Sequence, residues 1–95
     1  MIVLGVDTSL DACSVAIVRD GEVLAHSREP MARGQAERLA PLTREAMLQA
    51  GVAFAQIDRI AVTTGPGSFT GVRVGLSFAR ALALSLAKPC IGVTT

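Results

Sequence analysis

The chain has 95 residues, of which 51% are apolar and 18% charged, with a formal net charge of +1. This composition excludes an intrinsically disordered segment, which lacks the apolar residues needed to form a core. The balance of nine basic and eight acidic residues argues against a dedicated nucleic-acid or membrane-surface domain, because such domains concentrate cations. We therefore expect one domain over residues 1–95, with no partner indicated by net charge.

Cysteine spacing and the apolar segments predict a cytoplasmic protein. Cys13 and Cys90 lie far apart without the CxxC spacing of metal or redox sites, so free buried thiols are expected. The N-terminus has no basic region and reaches Asp7 after six residues, unlike a signal peptide. The apolar stretch 81–87 is too short to cross a bilayer.

The first three predicted elements are strands. Residues 2–6 form a continuous apolar run, typical of a strand that is buried on both faces. Residues 12–19 and 22–28 predict two further strands. Asp20 and Gly21 lie between them and tolerate the positive φ of a type I′ turn, which indicates an antiparallel hairpin.

The rest of the chain alternates helices and strands. Residues 35–50 have apolar residues at helical spacing, with a kink expected at Pro41 and Gly51 expected just past the helix end. A short buried strand over 59–64 follows. Next comes a nearly uncharged helix over 71–87.

The chain closes with Lys88-Pro89, which stops this second helix, and a last strand over 90–94. The order βββαβαβ predicts an α/β fold with a five-stranded mixed sheet of order 3-2-1-4-5. The hairpin is expected at one edge of the sheet and the last strand at the other.

Two segments at strand ends are candidate anion or nucleotide sites. Asp7, Thr8 and Ser9 place a carboxylate and two hydroxyls after the first strand; the alternative is a turn in which Asp7 binds its own backbone. The segment GPGSFTG at 65–71 precedes a helix and could cradle a phosphate. It lacks the lysine of a Walker A loop, so a tight connection with Thr70 as the helix N-cap is the alternative.

The second helix has small residues at every fourth position, namely Gly71, Gly75, Ala79 and Ala83. Glycine inside a helix is destabilising, so this stripe indicates close approach of another backbone. The approaching element is either the chain's own sheet or a partner helix. For the partner alternative, we expect an interface formed by Gly71, Arg73, Gly75, Phe78, Ala79 and Leu82.

Catalytic and metal-binding groups are not evident. The one histidine, His26, has no neighbouring cysteine or second histidine, and no Ser-His-Asp arrangement follows from the spacing. The residues by themselves therefore predict a non-catalytic or half-complete domain, without a metal site and without a required cofactor.

Three segments together resemble the bacterial TsaB (YeaZ) family. They are MIVLGVDTS at 1–9, ACSVA at 12–16 and GPGSFTGVRVG at 65–75, and the similarity extends over the whole chain. The resemblance implies an actin-like (ASKHA, ribonuclease H-like) fold of two related domains, of which residues 1–95 are the first. It implies that the second domain lies outside this chain and that Asp7, Thr8 and Ser9 match the first phosphate loop.

The family resemblance also implies a function. Members of the family are non-catalytic partners in making N6-threonylcarbamoyladenosine at position 37 of tRNA, and they bind the catalytic paralog TsaD and the ATPase TsaE. Pairing and self-association both use the helices of the first domain, and tRNA is contacted only indirectly. ATP and magnesium belong to the complete complex.

An enzyme stays open as the alternative function at this point. Older labels for the family, glycoprotease or peptidase M22, keep a nucleotide-binding or peptidase-type enzyme as the second hypothesis. The resemblance also implies that the catalytic paralog binds metal through a pair of histidines on the corresponding helix, where many relatives have one histidine. This chain has Gln35 at that position and no second histidine, which argues against metal binding through the first helix.

Overall fold

The structure is a computed structural model that describes residues 1–8, 12–30, 35–65 and 69–94. Its elements, in chain order, are β1 (Ile2–Asp7), β2 (Ala12–Arg19), β3 (Glu22–Pro30), α1 (Gln35–Ala50), β4 (Arg59–Gly65), α2 (Phe69–Leu86) and β5 (Cys90–Thr94). A single 3-10 turn over Phe54–Gln56 precedes β4. The strands form one sheet of order β3-β2-β1-β4-β5, which confirms the predicted α/β class and strand order.

Pairing directions follow from the connections. β1, β2 and β3 are antiparallel neighbours, whereas β1 pairs with β4, and β4 with β5, in parallel. At the β2–β3 turn, Asp20 has φ 50° and Gly21 has φ 85°. Both central residues of the turn are therefore left-handed, which confirms the predicted hairpin.

One face of the sheet forms the core with both helices. From the strands, Leu4, Val15, Ile17, Ile60 and Val62 are buried in one apolar cluster. From the helices, Leu39, Leu42 and Ala46 of α1 join this cluster with Ala79 and Ala83 of α2. The helices also contact each other, so the described chain has two layers.

The second face of β1 differs from the prediction. Burial alternates along the strand: Leu4 and Val6 are buried, whereas Gly5 and Asp7 on the other face are only half-buried. The prediction that this strand is buried on both faces is therefore wrong within the described chain. An apolar run cannot by itself indicate how many layers cover it, and both helices pack on one face.

Element ends shift slightly from their predicted positions. β1 extends through Asp7, and α2 begins at Phe69, so Thr70 lies inside the helix rather than at its N-cap. α1 covers the predicted residues, and Gly51 after it has φ 68°, as expected for the residue following a helix. None of the helices described here is long and apolar enough to cross a membrane.

Candidate functional site

Asp7 is held by a residue that sequence reasoning did not single out. The Thr63 hydroxyl donates a hydrogen bond to Asp7 Oδ1 at 2.8 Å. β1 and β4 are parallel and Val6 pairs with Val62, so the next residues of both strands meet at the same edge of the sheet. That parallel register is the signal that would have identified Thr63.

The remaining two residues of the predicted strand-end site do not join Asp7. Thr8 is fully buried, at 0% exposure, and its side chain lies against Gly75 of α2. Successive side chains of an extended backbone point to opposite faces, so Asp7 and Thr8 face opposite sides of the sheet. Ser9 lies outside the described residues, as do residues 66–68 of the second candidate segment.

The small-residue stripe of α2 packs on the chain's own sheet. Gly75 and Ala79 are buried, and a Cβ atom at Gly75 would overlap the Thr8 hydroxyl. The sequence left open whether the stripe contacts this chain's own sheet or a partner helix. At Gly75 and Ala79 the structure shows contact with this chain's own sheet. Gly71 lies in the first turn of α2, and the packing around it is not among the described features.

Of the other predicted interface residues, the structure brings Phe78 and Leu82 together. Both are half-buried and line a groove between α1 and α2, with a volume of about 200 Å³. Its other walls are Ala40, Thr43, Arg44 and Phe54. Arg73 is exposed and lies five residues before Phe78, about 140° around the helix. It therefore belongs to a different flank of α2.

Phe54 extends this groove and was missed by sequence reasoning. It also lines a second cavity of about 260 Å³ with Arg44, Met47, Leu48 and Val52. Leu48 is 83% exposed beside that cavity. The available signal was composition: Phe54 is one of three aromatic residues in the chain and lies in a connection between elements.

Charged groups near β2 affect the pKa of the Cys13 thiol. Arg38 Nε donates to Glu29 Oε2 at 3.0 Å, linking α1 to β3. Burial raises the pKa of the Cys13 thiol, with a smaller contribution from Glu29 in the same direction and an opposing one from Arg38. Neither Cys13 nor Cys90 forms a disulfide; Cys13 is buried as expected, whereas Cys90 is only half-buried. In the described part of the chain, no three metal-ligating side chains come together.

Comparison with known proteins gives concordant matches. The family model described as "TsaD: tRNA N6-adenosine threonylcarbamoyltransferase" matches residues 22–95. The tRNA threonylcarbamoyladenosine biosynthesis protein TsaB of Escherichia coli is 42% identical over 95 residues, all of this chain. A tRNA N6-adenosine threonylcarbamoyltransferase of Thermosipho africanus is 41% identical, but over an alignment of 108 residues. The alignment with the TsaB protein is therefore as long as this chain, whereas the alignment with the transferase is longer than this chain.

The chain belongs to the TsaB (YeaZ) family. A solved structure entitled "YeaZ from Pseudomonas aeruginosa" is 41% identical to it and superposes with a TM-score of 0.90 over 98% of this chain. The predicted actin-like topology is thus shared with TsaB (YeaZ) structures. The chain spans 41% of the length of the E. coli TsaB protein and 43% of the P. aeruginosa YeaZ chain.

Proposed function

We propose that this chain acts, as part of a TsaB-type protein, in making N6-threonylcarbamoyladenosine at position 37 of tRNA, as a non-catalytic partner of the threonylcarbamoyltransferase. The observation that carries the proposal is its 42% identity to E. coli TsaB over the whole chain. The name of that relative specifies threonylcarbamoyladenosine biosynthesis.

The groove between α1 and α2 is the surface that we assign to the transferase. Phe54, Phe78 and Leu82 provide aromatic and aliphatic walls, and exposed Leu48 extends the apolar area. Half-buried aromatic residues in a groove suit an interface core, because a partner side chain can displace water from them. The partner is expected to insert apolar side chains there.

The charge around the groove favours an acidic partner surface. Arg44 is exposed at the rim of the groove, and α2, which forms its other side, has no acidic residue. Carboxylates opposite such a cation speed association and fix its orientation more than they raise affinity. Pairing should therefore weaken as the salt concentration rises.

The remaining partners follow from the same proposal. The ATPase TsaE and a second copy of the chain are expected at the helices of this domain. We expect tRNA to be bound mainly through the transferase, in keeping with a net charge of only +1. The whole assembly would work in the cytoplasm.

Calorimetric titration with the transferase of the same organism tests the pairing. The Arg44→Glu variant should bind about tenfold more weakly, because it places a like charge opposite the partner's carboxylates. Arg19→Glu is the matched control, since Arg19 is exposed at the end of β2, in the strand layer. Absence of binding by the unmodified chain, or equal weakening by both variants, would contradict the assignment.

A nucleotide at Asp7 is the second candidate. Asp7 and Thr63 lie at the carboxyl ends of two parallel strands, the edge where α/β folds bind ligands. The carboxylate oxygen is a ligand of the kind that magnesium prefers. Titration with ATP and magnesium should release heat that Asp7→Ala abolishes; no heat from the unmodified chain removes this candidate.

A further inference from the structure

The outer face of α2 has two arginines with a serine between them. Arg73, Ser77 and Arg80 are all exposed. Residues four and seven positions apart lie on the same face of an α-helix, and seven residues rise about 10 Å along its axis. The three side chains therefore form one row of hydrogen-bond donors, which we call the arginine row.

The arginine row lies on a different side of α2 from the groove that we assign to the transferase. Phe78 and Leu82 line that groove. Arg80 is about 160° around the helix from each of them. Ala79, which is fully buried, marks the side of α2 that packs on the sheet. A partner bound in the groove therefore leaves the arginine row accessible to a second ligand.

The surroundings of the arginine row are cationic. Residues 59–95 include no acidic residue, and the two strands of this segment that contact α2, β4 and β5, therefore add no carboxylate. Glu37 and Glu45 belong to α1, across the groove. The net charge of +1 does not describe this face, because all the acidic residues precede residue 59.

The donors of the arginine row suit a phosphate group. A guanidinium can bind two phosphate oxygens at once, and the hydroxyl between the two arginines adds a further donor. The core of a protein interface is instead apolar and rich in aromatic residues. Leu84, 84% exposed, is the large apolar side chain that continues the row along α2. A protein partner on this face would be expected to cover Leu84 as well.

We propose that the arginine row binds the phosphate backbone of the tRNA substrate directly, beside the transferase. The names of the relatives specify a modification of tRNA, whose backbone supplies the phosphates. The proposal rests on the proposed function and extends it, because it gives this chain a tRNA contact of its own. Contacts to phosphates fix orientation without reading sequence, so the row should act on all tRNA substrates alike.

The salt dependence of tRNA binding tests the arginine row. The probe is a tRNA transcript unmodified at position 37, titrated against the protein bound to its transferase. Arg73→Gln with Arg80→Gln should weaken binding and reduce the slope of log affinity against log salt by about 2, one for each lost phosphate contact. Lysine at both positions keeps the charges and should keep the slope. Arg19→Gln with Arg28→Gln is the matched control, which removes two exposed charges from the strand layer.

Calorimetric titration of the same variants with the transferase separates this proposal from the proposed function. If the unmodified protein does not bind the transferase, both are overturned. If it binds, but the glutamine pair leaves the slope for tRNA unchanged or the control pair lowers it equally, the arginine row alone is overturned. Weaker transferase binding by both the glutamine pair and Leu84→Ala would overturn it too, by assigning the face to a protein partner. Glutamine is a good helix former, so Tm should stay unchanged.

Discussion

Gly75 of α2 lies directly against the side chain of Thr8 at the end of β1. Thr8 is fully buried, and its hydroxyl occupies the space that a Cβ atom at Gly75 would need. Thr8 belongs to the predicted strand-end site and Gly75 to the predicted interface, and the two residues contact each other inside the domain. The contact joins α2 closely to the central strand, and a glycine is required because the neighbouring atoms belong to a short, buried side chain.

Gly75→Ala should destabilise the chain by up to about 2 kcal/mol. Overpacking costs about 1–3 kcal/mol, and the gain of about 1 kcal/mol in helix propensity offsets only part of that cost. Urea unfolding measures the difference. Ser77→Ala, on an exposed position of the same helix, is the control and should change stability by less than about 0.5 kcal/mol.

The same overlap predicts coupling between the two positions. Thr8→Ala removes the nearest atom, so Gly75→Ala should cost less in a Thr8→Ala background than in the unmodified chain. Additive effects in this double-mutant cycle would show that the two side chains do not compete for space.

Ala87→Gly should stabilise the chain by up to about 1 kcal/mol. Ala87 follows α2 with φ 55°, a left-handed conformation that is strained for alanine. The Lys88 N–H donates to the Ala83 carbonyl at 2.9 Å, so the helix end requires this conformation. Gly51→Ala, which makes the opposite change after α1, should destabilise by a similar amount in thermal unfolding. Equal signs for the two variants would contradict the explanation.

Thiol reagents should modify Cys90 well before Cys13. Cys13 has 0% exposure, and burial raises the pKa of its thiol, whereas Cys90 is half-buried. A raised pKa in the folded state contributes stability below the ordinary thiol pKa, and this contribution is lost as pH rises through the folded value. Urea unfolding at neutral and alkaline pH should therefore show a loss of stability that Cys13→Ala reduces. Faster labelling of Cys13 would contradict its burial.

Asp20 should titrate at lower pH than an ordinary aspartate. The Met1 ammonium donates to Asp20 Oδ1 at 2.7 Å, and this hydrogen bond, with the charge of the ammonium, lowers the pKa of the carboxyl. The stabilisation is present above the ordinary aspartate pKa and is lost as pH falls through the folded value. N-terminal acetylation should raise the pKa of Asp20, measured by NMR titration. An unchanged titration curve would show that the pair does not form in solution.

Short-range features of the fold could be predicted because single residues determine them. Asp20 and Gly21 formed the expected turn, and Gly51 followed α1, because both depend on which residues tolerate positive φ. Helix α2 began earlier than expected, since Thr70 is compatible with both an N-cap and a first turn. Phe78 and Leu82 met in the groove as their four-residue spacing suggests, while Arg73 did not.

The sequence by itself determined the order of strands and helices and the hairpin, because periodicity and turn chemistry are local properties. The sheet order then followed from the right-handed crossover connections. It left open which element would meet the small-residue stripe, and the fold answered this by placing Thr8 against Gly75. Only tertiary structure paired Thr63 with Asp7 and put Phe54 beside Phe78. Such contacts join residues distant in sequence, and they depend on which faces of the sheet and helices pack together.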